Sequence, residues 1–133
     1  MSGTFGSKDF QGYTGLVVDD EPGMARLLGR LLRELGFKRV DQAQNGQEAL
    51  EKLQLTSFDL VISDWTMAPV SGLELLRQIR ADARHAPMRF IMVTGKADAD
   101  EVRLAKAAGV DGYLLKPFNV RTLRKQLDRI LHG

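Results

Sequence analysis

Short unbroken apolar runs alternate along the chain with longer stretches whose apolar positions recur at helical spacing. The runs are LVV (16–18), LVI (60–62), FIMV (90–93) and YLL (113–115), the pattern of strands covered on both faces. A weaker run around Val40 suits a sheet edge. Between the runs, Met24, Leu27, Leu28, Leu31, Leu32 and Leu35 fall on one helical stripe, with Pro22 suited to the first turn and Gly36 to the stop. Residues 47–55, 72–82, 98–108 and 120–131 supply four further helical patterns, completing five strand–helix units. Such alternation predicts an α/β domain: a parallel sheet with helices on both faces, because each right-handed crossover has to cover one face. Residues 1–13, MSGTFGSKDFQGY, carry three glycines, two serines and no periodicity, and predict a flexible N-terminal tail ahead of a domain spanning 14–131.

Composition narrows this picture. A chain of 133 residues, 44% hydrophobic, holds enough apolar material for one core and one domain. No apolar run reaches 18 residues and no charged segment leads into one at the start, so neither a membrane span nor a secretory signal is expected and the default location is the cytoplasm. The absence of cysteine excludes disulfides, thiolate metal ligands and a cysteine nucleophile. A net charge of +2 is too small and too dispersed to indicate nucleic acid. The basic residues Arg26, Arg30, Arg33, Arg121, Arg124, Lys125 and Arg129 sit on helices, where they read as solvated faces or as a surface for docking a protein.

In a parallel α/β sheet the ligand site lies beyond the carboxyl ends of the strands. Asp19 and Asp20 follow the first run, Ser63 and Asp64 the third strand, Thr94 and Gly95 the fourth, and Lys116 and Pro117 the fifth. Any one of these has an ordinary explanation, since aspartate after a strand is often only a helix cap or turn residue. Their convergence at one end is harder to explain without a site. Three neighbouring carboxylates, Asp19, Asp20 and Asp64, would raise one another's pKa unless a hard dication sat among them, and Mg²⁺, with Mn²⁺ able to substitute, fits such oxygen ligands. Beside it, a lysine and a hydroxyl equip Asp64 to act as nucleophile toward phosphorus and become an aspartyl phosphate. Glu21 is expected to face solvent near the positive end of the first helix.

LVVDDEP (16–22), LVISDWTM (60–67), FIMVTG (90–95) and GYLLKPF (112–118) occur in order, and together they resemble the receiver domain of two-component response regulators, above all the CheY-like single-domain chemotaxis branch. The likeness covers about residues 14–131. It implies a flavodoxin-like, doubly wound five-stranded sheet of order 2-1-3-4-5 with five helices. It also implies that Asp64 is the phosphoacceptor, charged by a sensor histidine kinase or a phosphotransfer protein. Asp19 and Asp20 would organise Mg²⁺, with Asp20 the more direct ligand and the Thr66 carbonyl another. Lys116 would bind the phosphoryl group, Thr94 would move toward it, and Tyr113 would swing behind Thr94, coupling Asp64 to the face of the fourth helix, fifth strand and fifth helix. Thr66 and Lys96 occupy positions that tune hydrolysis of the acyl phosphate. The bond before Pro117 would be cis.

A phosphoacceptor signalling domain of this kind catalyses only its own phosphorylation and slow dephosphorylation. The expected role is a monomeric messenger that controls a target protein in chemotaxis or motility, without nucleic acid or membrane. A phosphate sink or relay intermediate, or a receiver cut from a hybrid kinase or transcription factor, are the alternatives. A dehalogenase-like phosphatase would need a second aspartate where Thr66 stands, and a flavodoxin-like electron carrier would not place Asp19 and Asp20 against a flavin phosphate. Two departures stand out. The family commonly has proline four residues after Asp64, whereas this chain has Ala68 and then Pro69, leaving the loop's path open. Arg124 and Lys125 replace acids of the chemotaxis regulator. His85 is expected to be solvated, with no second ligand nearby.

Overall fold

The computed structural model of the protein describes residues 9–96 and 98–132. Five strands, β1 (Thr14–Val18), β2 (Arg39–Ala43), β3 (Leu60–Asp64), β4 (Arg89–Thr94) and β5 (Gly112–Leu115), alternate with α1 (Pro22–Glu34), α2 (Gly46–Leu55), α3 (Gly72–Ala81), α4 (Ala99–Ala107) and α5 (Val120–Leu127). All strand pairs are parallel and the order is β2-β1-β3-β4-β5, the flavodoxin-like doubly wound arrangement. The helix expected over 120–131 is α-helical only to Leu127 and finishes as a wider π turn over Asp128–His132. No helix among the described residues is long and apolar enough to cross a membrane.

The unbroken apolar runs arise because both sheet faces are covered. Side chains alternate across the sheet. Val17, Ile62, Ile91 and Val93 therefore join a cluster with Leu28 and Leu32 of α1 and Leu123 and Leu127 of α5. Leu16, Val18, Val61, Phe90 and Met92 join a second cluster with Leu53 of α2 and Leu75, Leu76 and Ile79 of α3. Local chemistry sets the helix starts: Asn45, Ser71, Asp98 and Asn119 each accept a backbone N–H of the first turn. The α1 start differs, since Glu21 makes no side-chain cap and Pro22 opens the helix. Gly36, at φ 113°, takes the left-handed turn that ends α1.

Two expectations are corrected. Residues 1–8 of the anticipated tail lie outside the described residues, but Phe10 is fully buried and donates its N–H to the Leu35 carbonyl at 3.2 Å. Its ring stacks on His132 with centroids 4.6 Å apart, Tyr13 donates its hydroxyl to the Leu131 carbonyl, and Asp9 pairs with Arg124. The domain therefore begins before Thr14. The aromatic residues of this segment lie outside any regular element, so they carry no periodicity to betray their burial. His85 is likewise not solvated: it is only 9% exposed, held by its N–H to Asp82 O and by Met88 N–H to its own carbonyl, both at 2.9 Å. Two successive tight turns fold its ring inward.

Arg80 of α3 fastens the lower edge of the sheet. Its guanidinium donates to the carbonyls of Gly109, Ala86 and Met88 and to the Asp111 carboxylate, at 3.0, 2.8, 2.6 and 2.8 Å.

Candidate functional site: an acidic crevice at the strand ends

Because β1, β3, β4 and β5 are parallel and in register, their last residues converge at one edge. Asp19 continues from β1 with its N–H bonded to Ala43 O of β2 at 3.0 Å. Asp64 closes β3 and pairs in register with Val93, which places Thr94 one step beyond it on β4. Thr94 in turn pairs with Leu115, the residue before Lys116. Strand register alone thus gathers the four positions.

One carboxylate oxygen from each of Asp19, Asp20 and Asp64 lies within 4.8 Å of the others. The Lys116 ammonium stands 3.7 Å from Asp19 Oδ2 and 3.6 Å from Asp64 Oδ1. Three negative groups thus share one close cation. Asp19 is buried, Oδ1 accepting the Glu21 N–H at 2.9 Å, while Oδ2 has no hydrogen-bond partner. Asp64 Oδ1 accepts the Trp65 N–H at 2.9 Å. Asp20 and Glu21 are exposed.

Burial pushes the Asp64 carboxyl above its ordinary pKa, against the opposing pull of Lys116 and the Trp65 N–H. Burial likewise raises Asp19, opposed by the Glu21 N–H and reinforced by the Asp64 charge. The linkage has a definite sign. An acid whose pKa is raised on folding favours the folded state below its unfolded value, about 4, and that contribution is lost as pH rises through the raised value. In metal-free buffer the wild type is therefore expected to lose stability relative to Asp64→Asn between pH 4 and pH 7, measured as the difference in thermal midpoint. A constant difference across that window would contradict the assignment.

The donor set suits a hard dication: oxygen atoms only, excess negative charge, and a buried carboxylate oxygen left without a donor. The remaining expected site residues lie on β4, β5 and the loops that follow β3 and β4. Thr94 is buried and its hydroxyl oxygen accepts the Lys96 N–H at 3.3 Å; Lys96 and Thr66 are exposed on the loops after β4 and β3. Tyr113 lies opposite Met92 on β5, half-buried, and its hydroxyl is buried with no hydrogen-bond partner. Burial pushes this phenol up, and the charges of Glu101 and Asp98 push the same way. The bonds before Pro69 and Pro117 are both cis.

Sequence reasoning passed over two glycines that pack against the two ends of the segment running from Asp64 to Val70. Gly72 opens α3 beneath the Asp64 carbonyl, leaving no room for a side chain, and its N–H closes the loop onto Trp65 O at 2.9 Å. Gly46 opens α2 against Val70 of the same loop. Neither carries a sequence signal beyond a glycine at a helix start.

The crevice, its register and its charge define an α/β domain with an acidic site at the strand ends, and comparison with known proteins gives the family. Residues 16–128 match the response regulator receiver domain, and the chain belongs to that family. It is 41% identical over 115 residues to chemotaxis protein CheY-3 of Vibrio cholerae, covering 86% of this chain and 88% of that protein. It is 40% identical to chemotaxis protein CheY of Pseudomonas aeruginosa, covering 86% and 93%. Among solved structures, CheY4 of Vibrio cholerae superimposes with a TM-score of 0.83 at 33% identity over 89% of this chain and 98% of that one. The signal receiver domain of a histidine kinase from Syntrophus aciditrophicus gives 0.83 at 30% identity, covering 92% of each. The protein is thus a CheY-like receiver domain of two-component signalling.

Proposed function

We propose that the protein takes a phosphoryl group from the phosphohistidine of a sensor kinase or phosphotransfer protein onto Asp64, and answers by reshaping the α4-β5-α5 face for a target protein. The observation that carries this is the meeting of three carboxylates with one ammonium at the strand ends. Asp64 supplies the carboxylate oxygen that bonds to phosphorus as the P–N bond of the donor breaks and its electron pair leaves with the imidazole. Lys116, already within 3.6 Å of Asp64 Oδ1, neutralises the phosphoryl oxygens. Asp19, Asp20, Asp64 and the Thr66 carbonyl are the residues that would hold Mg²⁺, which supplies charge neutralisation to the transferred group when bound. Thr66 and Lys96, on the flanking loops, tune hydrolysis of the product.

For the response, Thr94 gives up the Lys96 N–H and turns to the new phosphoryl oxygens. Tyr113 follows at small cost, because its buried hydroxyl has no hydrogen bond to lose. The face it controls exposes Leu104, Leu115 and Val120, side chains suited to contact with a protein. The likeness to two chemotaxis proteins supports a target in chemotaxis or motility, and the working form in this reading is a cytoplasmic monomer. The likeness to a histidine kinase's own receiver favours a second reading, a relay or sink that only passes phosphate on.

Acetyl phosphate with Mg²⁺ is expected to add one phosphoryl group by intact mass, and a chelator to prevent it. Absence of labelling would overturn the reading. Pull-downs with and without phosphorylation then separate messenger from relay: a partner captured only by the phosphorylated form supports the messenger.

A further inference from the structure

The loop from Trp65 to Ser71 connects Asp64 to α3 and contains Thr66, whose carbonyl the reading above assigns to the metal. Its root is fixed: Trp65 N–H reaches Val93 O at 3.0 Å and Gly72 N–H reaches Trp65 O at 2.9 Å. Met67, next to Thr66, is buried in the α2–α3 cluster. The far end is unusual. Val70 has φ 68° and is the only non-glycine residue with positive φ among the described residues. A β-branched side chain is poorly suited to that left-handed conformation, because its Cβ crowds the following carbonyl. Backbone held in such a state persists only where its surroundings overdetermine it, and such residues cluster at functional sites.

The surroundings here are the first residue of α2. Gly46 donates its N–H to the Val70 carbonyl at 3.1 Å. A Cβ on Gly46 would come within 2.5 Å of both Val70 Cγ1 and Val70 O, and 2.8 Å of Val70 Cβ. The valine side chain therefore sits directly against the helix start, and only glycine leaves room for it. This is also where the chain departs from the family, with Ala68 and a displaced Pro69 immediately before Val70.

We infer that Gly46 and Val70 form a latch by which the start of α2 holds the β3–α3 loop, and with it the Thr66 carbonyl, in position for the cation at Asp64. Both are positioning residues: neither touches the carboxylates, and each acts through the loop. The inference rests on the Mg²⁺ reading of the crevice.

The test is a double-mutant cycle on Mg²⁺ affinity, read from the fluorescence of Trp65, the single tryptophan, which adjoins Asp64. Gly46→Ala is expected to weaken Mg²⁺ binding about tenfold, and Val70→Gly, which adds no atom and leaves the loop free to wander, about threefold. The double variant is expected to lose less than the product of the two single losses, because deleting the valine relieves the methyl's clashes with Cγ1 and Cβ and leaves only the one with the carbonyl oxygen of residue 70. Mg²⁺ affinity of Gly46→Ala within twofold of wild type would overturn the latch, as would losses that simply multiply. Should Gly46→Ala fail to fold, Val70→Gly decides alone: wild-type affinity in that variant overturns the inference. A wild type without Mg²⁺ affinity would sink the metal reading and the latch together, whereas a binding wild type with unresponsive variants sinks the latch only.

Discussion

Asp64→Asn is expected to take up no phosphoryl group from acetyl phosphate and Mg²⁺ under conditions that label the wild type fully, a loss of at least about a thousandfold in rate. The amide preserves the shape of the carboxylate, and its oxygen can still accept the Trp65 N–H that Asp64 Oδ1 accepts at 2.9 Å. What it lacks is a nucleophilic anion. A second consequence sets this variant apart from a merely damaged one. Without metal near neutral pH it is expected to unfold at higher temperature than the wild type, because a charge that burial disfavours is gone. Mass spectrometry and a thermal melt on the same sample check both. Labelling of the variant at the wild-type rate would move the nucleophile elsewhere.

Phe10→Ala is expected to cost about 3–5 kcal/mol, the usual loss for a fully buried phenylalanine, and to lower the thermal midpoint by about 10 °C or more. The ring lies between Phe37, Tyr13 and the His132 imidazole at centroid distances of 6.1, 6.4 and 4.6 Å. Deleting residues 1–13 should cost at least as much, since it also removes the Tyr13 bond to the end of the chain. A midpoint within about 1 °C of wild type for Phe10→Ala would show that the segment adds nothing to the fold.

The architecture was legible because two-sided burial writes itself as apolar runs, and because Pro22 and Gly36 marked the bounds of the first helix. The crevice was legible for a related reason. In a parallel sheet, whatever follows each strand shares one edge, so Asp19, Asp64, Thr94 and Lys116 could be grouped before any distance was known. What escaped was everything decided by contact between distant loops. Nothing in GSKDFQGY distinguishes a Phe10 packed against Leu35 and His132 from one in solvent. His85 looked like any loop histidine until two turns folded it inward. Arg80 reads as one more helix cation, although it ties together three loop carbonyls and Asp111. The displaced Pro69 marked the β3–α3 loop as irregular, but only coordinates could show that the irregularity falls on Val70 and leans on Gly46.

That arginine also bears on how a signal could travel. By gripping Gly109 and Asp111 at the entry of the fifth strand, it turns that end into a heel, while the exit is tied by the Lys116 N–H to Thr94 O and by the Lys116 ammonium to Asp19 and Asp64, the groups at the crevice itself. Motion started by charge at the crevice would therefore tilt the strand about its base instead of sliding it, with displacement growing toward Leu115 and dying out before Asp111.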